Sequence, residues 1–166
     1  MLGRSEPVSF TLERHGGGLD WYTDATLVAS AVPMNGMWQL SDAAGAHVVT
    51  LVPLGEGHDD HAGLALIGPR ARLLGSIHPR EDAVGREVGS VVSDTDGRAI
   101  LVLRTDGDNG AHVVDRHGSV IAVASWEDRH AVTDLLVTPL GTRHSLAMVF
   151  GLVLTLELDR QSRPKV

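Results

Sequence analysis

Cysteine is absent from the 166 residues, which excludes disulfides, thiolate catalysis and Cys-based zinc sites. Lysine is almost absent as well. Lys165 is the only one, so arginine carries nearly all the positive charge. The formal net charge is -7 and no basic cluster stands out. Nucleic acid is therefore not an expected partner, because phosphate recognition needs a positive footprint. Strong electrostatic attachment to an anionic membrane is disfavoured on the same ground. Before Ser145 no segment keeps a helical period of apolar residues. The first residues, MLGRSEPVSFTLERHGGG, lack the apolar core of a signal peptide. They are read as a flexible N-terminal segment over 1–18, and the protein is expected in the cytoplasm.

The chain does contain short apolar runs divided by turn chemistry. Hydrophobic residues make up 43% and charged residues 21%, values that suit one globular domain with a sizeable core. The runs Leu19–Thr23, Thr26–Val32, Met37–Leu40, His47–Val52, Gly63–Ile67 and Ala71–Ile77 come first. They are followed by Glu87–Val92, Ala99–Leu103, His112–Val114, Val120–Ala124 and Val132–Val137. About eleven strands at this spacing point to a sandwich or barrel.

Three turns share the spacing D-x-x-G: Asp42 to Gly45, Asp94 to Gly97 and Asp115 to Gly118. The Asp carboxylate can cap such a turn, and Gly accepts the positive φ of its exit. Each turn joins two short strands, so residues 19–80 and 87–158 read as weak structural repeats. A calcium loop fails on spacing. An EF-hand counted from Asp94 would place Arg98 at position 5 and Thr105 at position 12.

Leu146–Leu158, LAMVFGLVLTLEL, is nearly all apolar. Two readings compete for it. From Leu152 to Asp159 apolar and other residues alternate, as in a strand. Upstream, Leu146, Met148, Val149 and Phe150 cover every side of the element, as in a helix buried all round. Thirteen residues fall short of the ~20 that cross a bilayer, so no transmembrane span is expected. The preferred reading is a buried helix near 145–158. A barrel of about twelve strands needs a plug or holds a cavity, and such a helix would fill it.

The segments MWQLSDAAGAHVV, VVSDTDGRAILVL, AHVVDRHGSVIAV and SLAMVFGLVLTLELD resemble the tubby C-terminal-like superfamily. That superfamily includes phospholipid scramblases and plant LURP-one-related proteins. The resemblance covers about residues 19–160. It implies a mainly β fold, a closed barrel of about twelve antiparallel strands around a buried hydrophobic C-terminal helix. The expected organisation is thus a single barrel domain over 19–160 and a tail over 161–166. The resemblance also raises lipid binding, but Arg70, Arg72 and Arg80 do not form a recognisable basic patch.

Chemistry-bearing residues are few. His58-Asp59-Asp60-His61 puts two imidazoles and two carboxylates on a glycine-flanked loop. Consecutive residues rarely all face one ion, so His58, Asp60 and His61 are the candidate metal ligands, with His78 or Glu56 as a further one. Ser125-Trp126-Glu127-Asp128-Arg129-His130 holds Ser, acid and His, but a triad is defined by spatial geometry. The plainer reading is a polar hairpin tip. Trp126 is a candidate exposed anchor for a partner or a lipid, and partial burial over a neighbouring strand is the stronger alternative. The expected function is a non-enzymatic scaffold or binding module without a cofactor. Alternatives are a lipid- or membrane-associated protein of scramblase type and a metal-dependent enzyme using the His58–His61 loop. A lipid or a protein is the conceivable partner.

Overall fold

Alternating side chains set the two faces of each strand. In β1 (Val8–His15), Phe10 and Leu12 are buried while Ser9, Thr11 and Glu13 are exposed. The structure, a computed structural model, describes residues 8–54, 63–81, 83–84, 87–106, 109–127 and 134–137. Among them the chain continues through β2 (Gly18–Thr23), β3 (Thr26–Met34), β4 (Met37–Asp42), β5 (His47–Pro53) and β6 (Leu64–Ile67). It then forms β7 (Leu73–Glu81), β8 (Glu87–Ser93), β9 (Ala99–Asp106), β10 (Gly110–Asp115), β11 (Val120–Ser125) and β12 (Asp134–Val137). Every strand pairs antiparallel with its sequence neighbours. β1 also pairs with β12, from Val8 opposite Val137 to Thr11 opposite Asp134, and so closes the meander into a barrel.

An up-and-down path puts alternate connections at opposite ends. The β2–β3, β4–β5, β6–β7, β8–β9 and β10–β11 turns share one end. Four of these hairpins share a single register, including one extra residue on the returning strand. Leu40 faces Val49 and Ser41 faces His47. The same offsets join Leu66 to Gly75 and Ile67 to Leu73, then Val92 to Leu101 and Ser93 to Ala99, then Val113 to Ala122 and Val114 to Val120. Such an added residue is a β-bulge, which raises local twist and curvature.

The described core comes from the strands' inward positions. Phe10, Leu12, Leu19, Trp21, Leu40, Leu51, Leu103 and Val113 are essentially inaccessible. Each such large side chain contributes about 1.5–3 kcal/mol of burial. Small side chains stand among them: Ala29, Ala31, Ala111, Ala122 and Ala124 are equally buried.

The architecture read from the sequence is corrected on its central element. That reading set a closed barrel of about twelve strands around a buried C-terminal helix. The described residues contain no α-helix; their only helical geometry is the short 3-10 turn Pro69–Ala71. The described core is built from strand side chains and from Trp126 just after β11, so it does not display a helix at its centre. Residues 145–158, which carried the expectation, lie outside the described residues. All-round hydrophobicity in a short segment does not separate a helix from a buried strand.

A second correction concerns the start of the chain. Residues 8–15, assigned to a flexible segment over 1–18, form β1, held between β2 and β12. The physical reason is the period-two series Val8, Phe10, Leu12, which supplies an inward face. No helix among the described residues is long and apolar enough to cross a membrane.

Candidate functional site

The acidic turns are occupied by their own backbone. Asp42 Oδ1 accepts from the N–H groups of Ala44 (3.0 Å) and Ala46 (2.9 Å). Asp94 Oδ1 accepts from Asp96 and Arg98, and Asp115 Oδ1 from His117 and Ser119, all at 2.9 Å. Gly45, Gly97 and Gly118 follow at φ 84°, 81° and 80°. These carboxylates do structural work, which is why they sit in a row at one end without forming a cation site. Among the described residues no group of three His, Asp or Glu side chains could hold a metal.

The metal candidates His58, Asp60 and His61, with Glu56, lie outside the described residues. Their suggested companion His78 is described. It is exposed on β7, its Nε2 lies 3.1 Å from Ser76 Oγ, and its ring lies against Gly63 at the foot of the loop. A Cβ at Gly63 would come 2.6 Å from His78 Nδ1. Of its two ring nitrogens, Nε2 thus has a hydrogen-bond partner and Nδ1 stands close to the Gly63 backbone.

Of the Ser125–His130 group, Ser125 ends β11 on its exposed face and Trp126 is buried at 4% exposure. The Trp126 backbone N–H donates to the backbone carbonyl of Asn109 at 3.0 Å. Trp126 is therefore a packing residue and not a surface anchor. Asp128, Arg129 and His130 lie outside the described residues. Trp21 is fully buried, and its indole N–H has no hydrogen-bond partner among the described residues.

The outer face of the later strands carries a continuous row that follows from register. Arg80 on β7 faces Gly89 on β8, and Gly89 faces Arg104 on β9. Arg104 faces His112 on β10, His112 faces Val123 on β11, and Val123 faces Leu136 on β12. Arg80 and Arg104 are exposed, as are Val123 (45%) and Leu136 (42%). Gly89 puts no side chain between the arginines. Its φ is 143°, and a Cβ there would lie 1.9 Å from Leu103 O, so the gap is imposed by the backbone. Two strand spacings set the arginine backbones roughly 10 Å apart. His112 Nδ1 lies 2.5 Å from Asp106 Oδ2, which engages the carboxylate two residues beyond Arg104 on β9. Among the described residues no carboxylate pairs with either arginine.

On the far side of the barrel, Ser30 Oγ donates to Asp20 Oδ1 at 2.7 Å. Tyr22, two residues from Asp20 on the same face, has its phenol pKa pushed up. Desolvation is the largest cause. The carboxylates of Asp20 and Glu13 and a hydrogen bond to Asp20 add to it.

The sequence reading singled out Arg80 but not Arg104 or Gly89. The only sequence signal was indirect: an arginine on each of two strands, without information on which residues pair.

No family model and no curated protein matches the chain. A solved structure, the X-ray structure of a protein from Arabidopsis thaliana, is similar to it in fold. The two share 17% identity over 95% of this chain and 93% of that one, with a TM-score of 0.64.

Proposed function

We propose that this chain is a non-enzymatic binding module that makes contact through the outer face of β9 to β12. One observation supports the reading above the others. Val123 and Leu136 stand directly opposite each other, both more than two-fifths exposed, on a face that meets solvent. Apolar pairs beside polar side chains on a sheet surface favour contact with a partner. The His112–Asp106 pair does not favour an enzyme. Its side chains are 26% and 53% exposed, so water reaches the pair and screens its charge.

Kinship with the tubby C-terminal-like superfamily belongs to the same proposal, supported by the three strand–D-x-x-G–strand hairpins. The cytoplasm is the proposed compartment, in keeping with a chain that has no cysteine to oxidise.

The dye 1-anilinonaphthalene-8-sulfonate tests the contact surface, since it brightens on exposed apolar patches. The folded protein is expected to enhance its fluorescence. Val123→Ser combined with Leu136→Ser is expected to remove about half of that gain, in proportion to the apolar area withdrawn from the patch. No enhancement, or an enhancement indifferent to the double substitution, would overturn the reading.

A further inference from the structure

We infer that the row from Arg80 to Leu136 takes an acidic peptide segment, whose carboxylates meet the arginines and whose apolar side chain meets Val123 and Leu136. This rests on the binding-module reading and names its partner. The row divides by chemistry. Its β7 to β10 half presents Arg80, Arg104 and His112, and its β11 to β12 half presents Val123 and Leu136. The chain carries a net charge of -7, and Arg80 and Arg104 place two exposed guanidinium groups on either side of one glycine, with Glu87 on β8 and Asp106 on β9.

Guanidinium groups match carboxylates as planar two-point donors, and they lose less on partial desolvation than an ammonium does. Gly89 is buried and adds no side chain between them, so an acidic side chain would meet the exposed arginines from above the sheet. The neighbouring carboxylate that would compete, Asp106, is engaged by His112. The apolar half adds area that a purely ionic partner would leave uncovered. Such area is what separates a docking surface from a solvated charge cluster.

Five strand spacings of ~4.8 Å follow the curved wall of the barrel for about 24 Å at the backbone, so the partner bends around it. An extended peptide covers that distance in roughly seven residues at ~3.3 Å each. The partner crosses the strands and lies on their side chains. It does not add to the sheet, because β7 to β12 already have hydrogen-bonded neighbours on both sides.

The test uses the full chain and a fluorescein-labelled peptide of glutamate and leucine, about seven residues long. A companion peptide has lysine in place of glutamate. Fluorescence anisotropy is expected to show binding of the acidic peptide only, and weaker binding at ~1 M salt, where the Debye length is ~3 Å. Arg80→Glu with Arg104→Glu is expected to weaken it by about tenfold or more, as is Val123→Ser with Leu136→Ser. Parent-like circular dichroism and cooperative unfolding of both variants exclude misfolding as the cause.

Failure of the parent to bind the acidic peptide overturns the inference, as does equal binding of the two peptides. Loss in the serine variant alone removes the acidic partner but leaves the module reading standing. Indifference to both variants removes the row altogether. Phosphatidylserine vesicles form a second arm. Sedimentation with them that depends on the arginines, without peptide binding, would assign the row to lipid and overturn the peptide.

Discussion

Asp42 and Asp115 make the same turn six strands apart. In each, one carboxylate oxygen accepts two backbone N–H groups, a glycine follows three residues on, and the flanking strands keep one register. The shared register recurs at every second strand from β4 to β11 but not in the β2–β3 hairpin, so it follows the hairpins and does not mark two halves. The β8–β9 hairpin repeats the pattern around Asp94. The β6–β7 hairpin keeps the register with a different turn, in which Arg70 and Ala71 both take positive φ (61° and 57°) and Arg72 N–H donates to Pro69 O. Gly68 takes the Asp position, its N–H donating to Arg72 O at 2.7 Å, and Ala71 takes the Gly position.

That substitution leaves Ala71 at φ 57°, a left-handed conformation that costs an L-residue about 1–2 kcal/mol. Ala71→Gly is expected to stabilise the protein by about 0.5–1 kcal/mol, since glycine's greater freedom in the unfolded chain offsets part of the relief. Urea unfolding checks this. The midpoint should rise at unchanged slope, and a lower midpoint would contradict the left-handed conformation of Ala71.

Gly89→Ala should act in the opposite direction. The added Cβ would meet a backbone carbonyl at 1.9 Å, and neither strand can retreat without breaking the β8–β9 ladder. A loss of about 3 kcal/mol or more is expected, at the severe end for a single methyl group. A thermal melt within a degree or two of the parent's would mean that β8 and β9 lie farther apart than described.

Tyr22 is the only tyrosine, so its phenolate absorbance can be followed without assignment. Its folded pKa is raised, hence the folded state holds its proton longer than the unfolded chain does. The associated stability is fully present below the unfolded value of about 10 and is lost as pH climbs through the folded one. The absorbance midpoint should lie above that of the urea-unfolded chain, and Asp20→Asn should lower it. Coincident folded and unfolded midpoints would refute the arrangement around Asp20.

How much of this was legible depended on the range over which each signal acts. The three D-x-x-G hairpins could be read because Asp and Gly fix a turn within five residues. The β6–β7 turn Gly68-Pro69-Arg70-Ala71, which shares their register, was not recognised because neither signature residue is present. β1 was missed although Val8, Phe10 and Leu12 alternate, because the polar residues around them dominate the composition of the segment. The Arg80–Arg104 relationship was out of reach. It is set by two strand pairings through Gly89, and register between strands is written in both partners together. Trp126 was ambiguous for a similar reason, since a charged neighbourhood in sequence did not prevent burial in space.

The pairing of Val8 with Val137 brings together residues from nearly opposite ends of the described chain. Contacts of such long sequence separation carry the largest loop-closure penalty and form slowly. The neighbouring hairpins can assemble one after another, whereas the seam between β1 and β12 has to wait for the whole meander. Until it forms, both strands carry unpaired backbone groups able to recruit another chain. The seam is thus expected to govern the folding rate, and shortening the chain before Phe10 would be felt as aggregation during refolding before it was felt as a lower melting temperature.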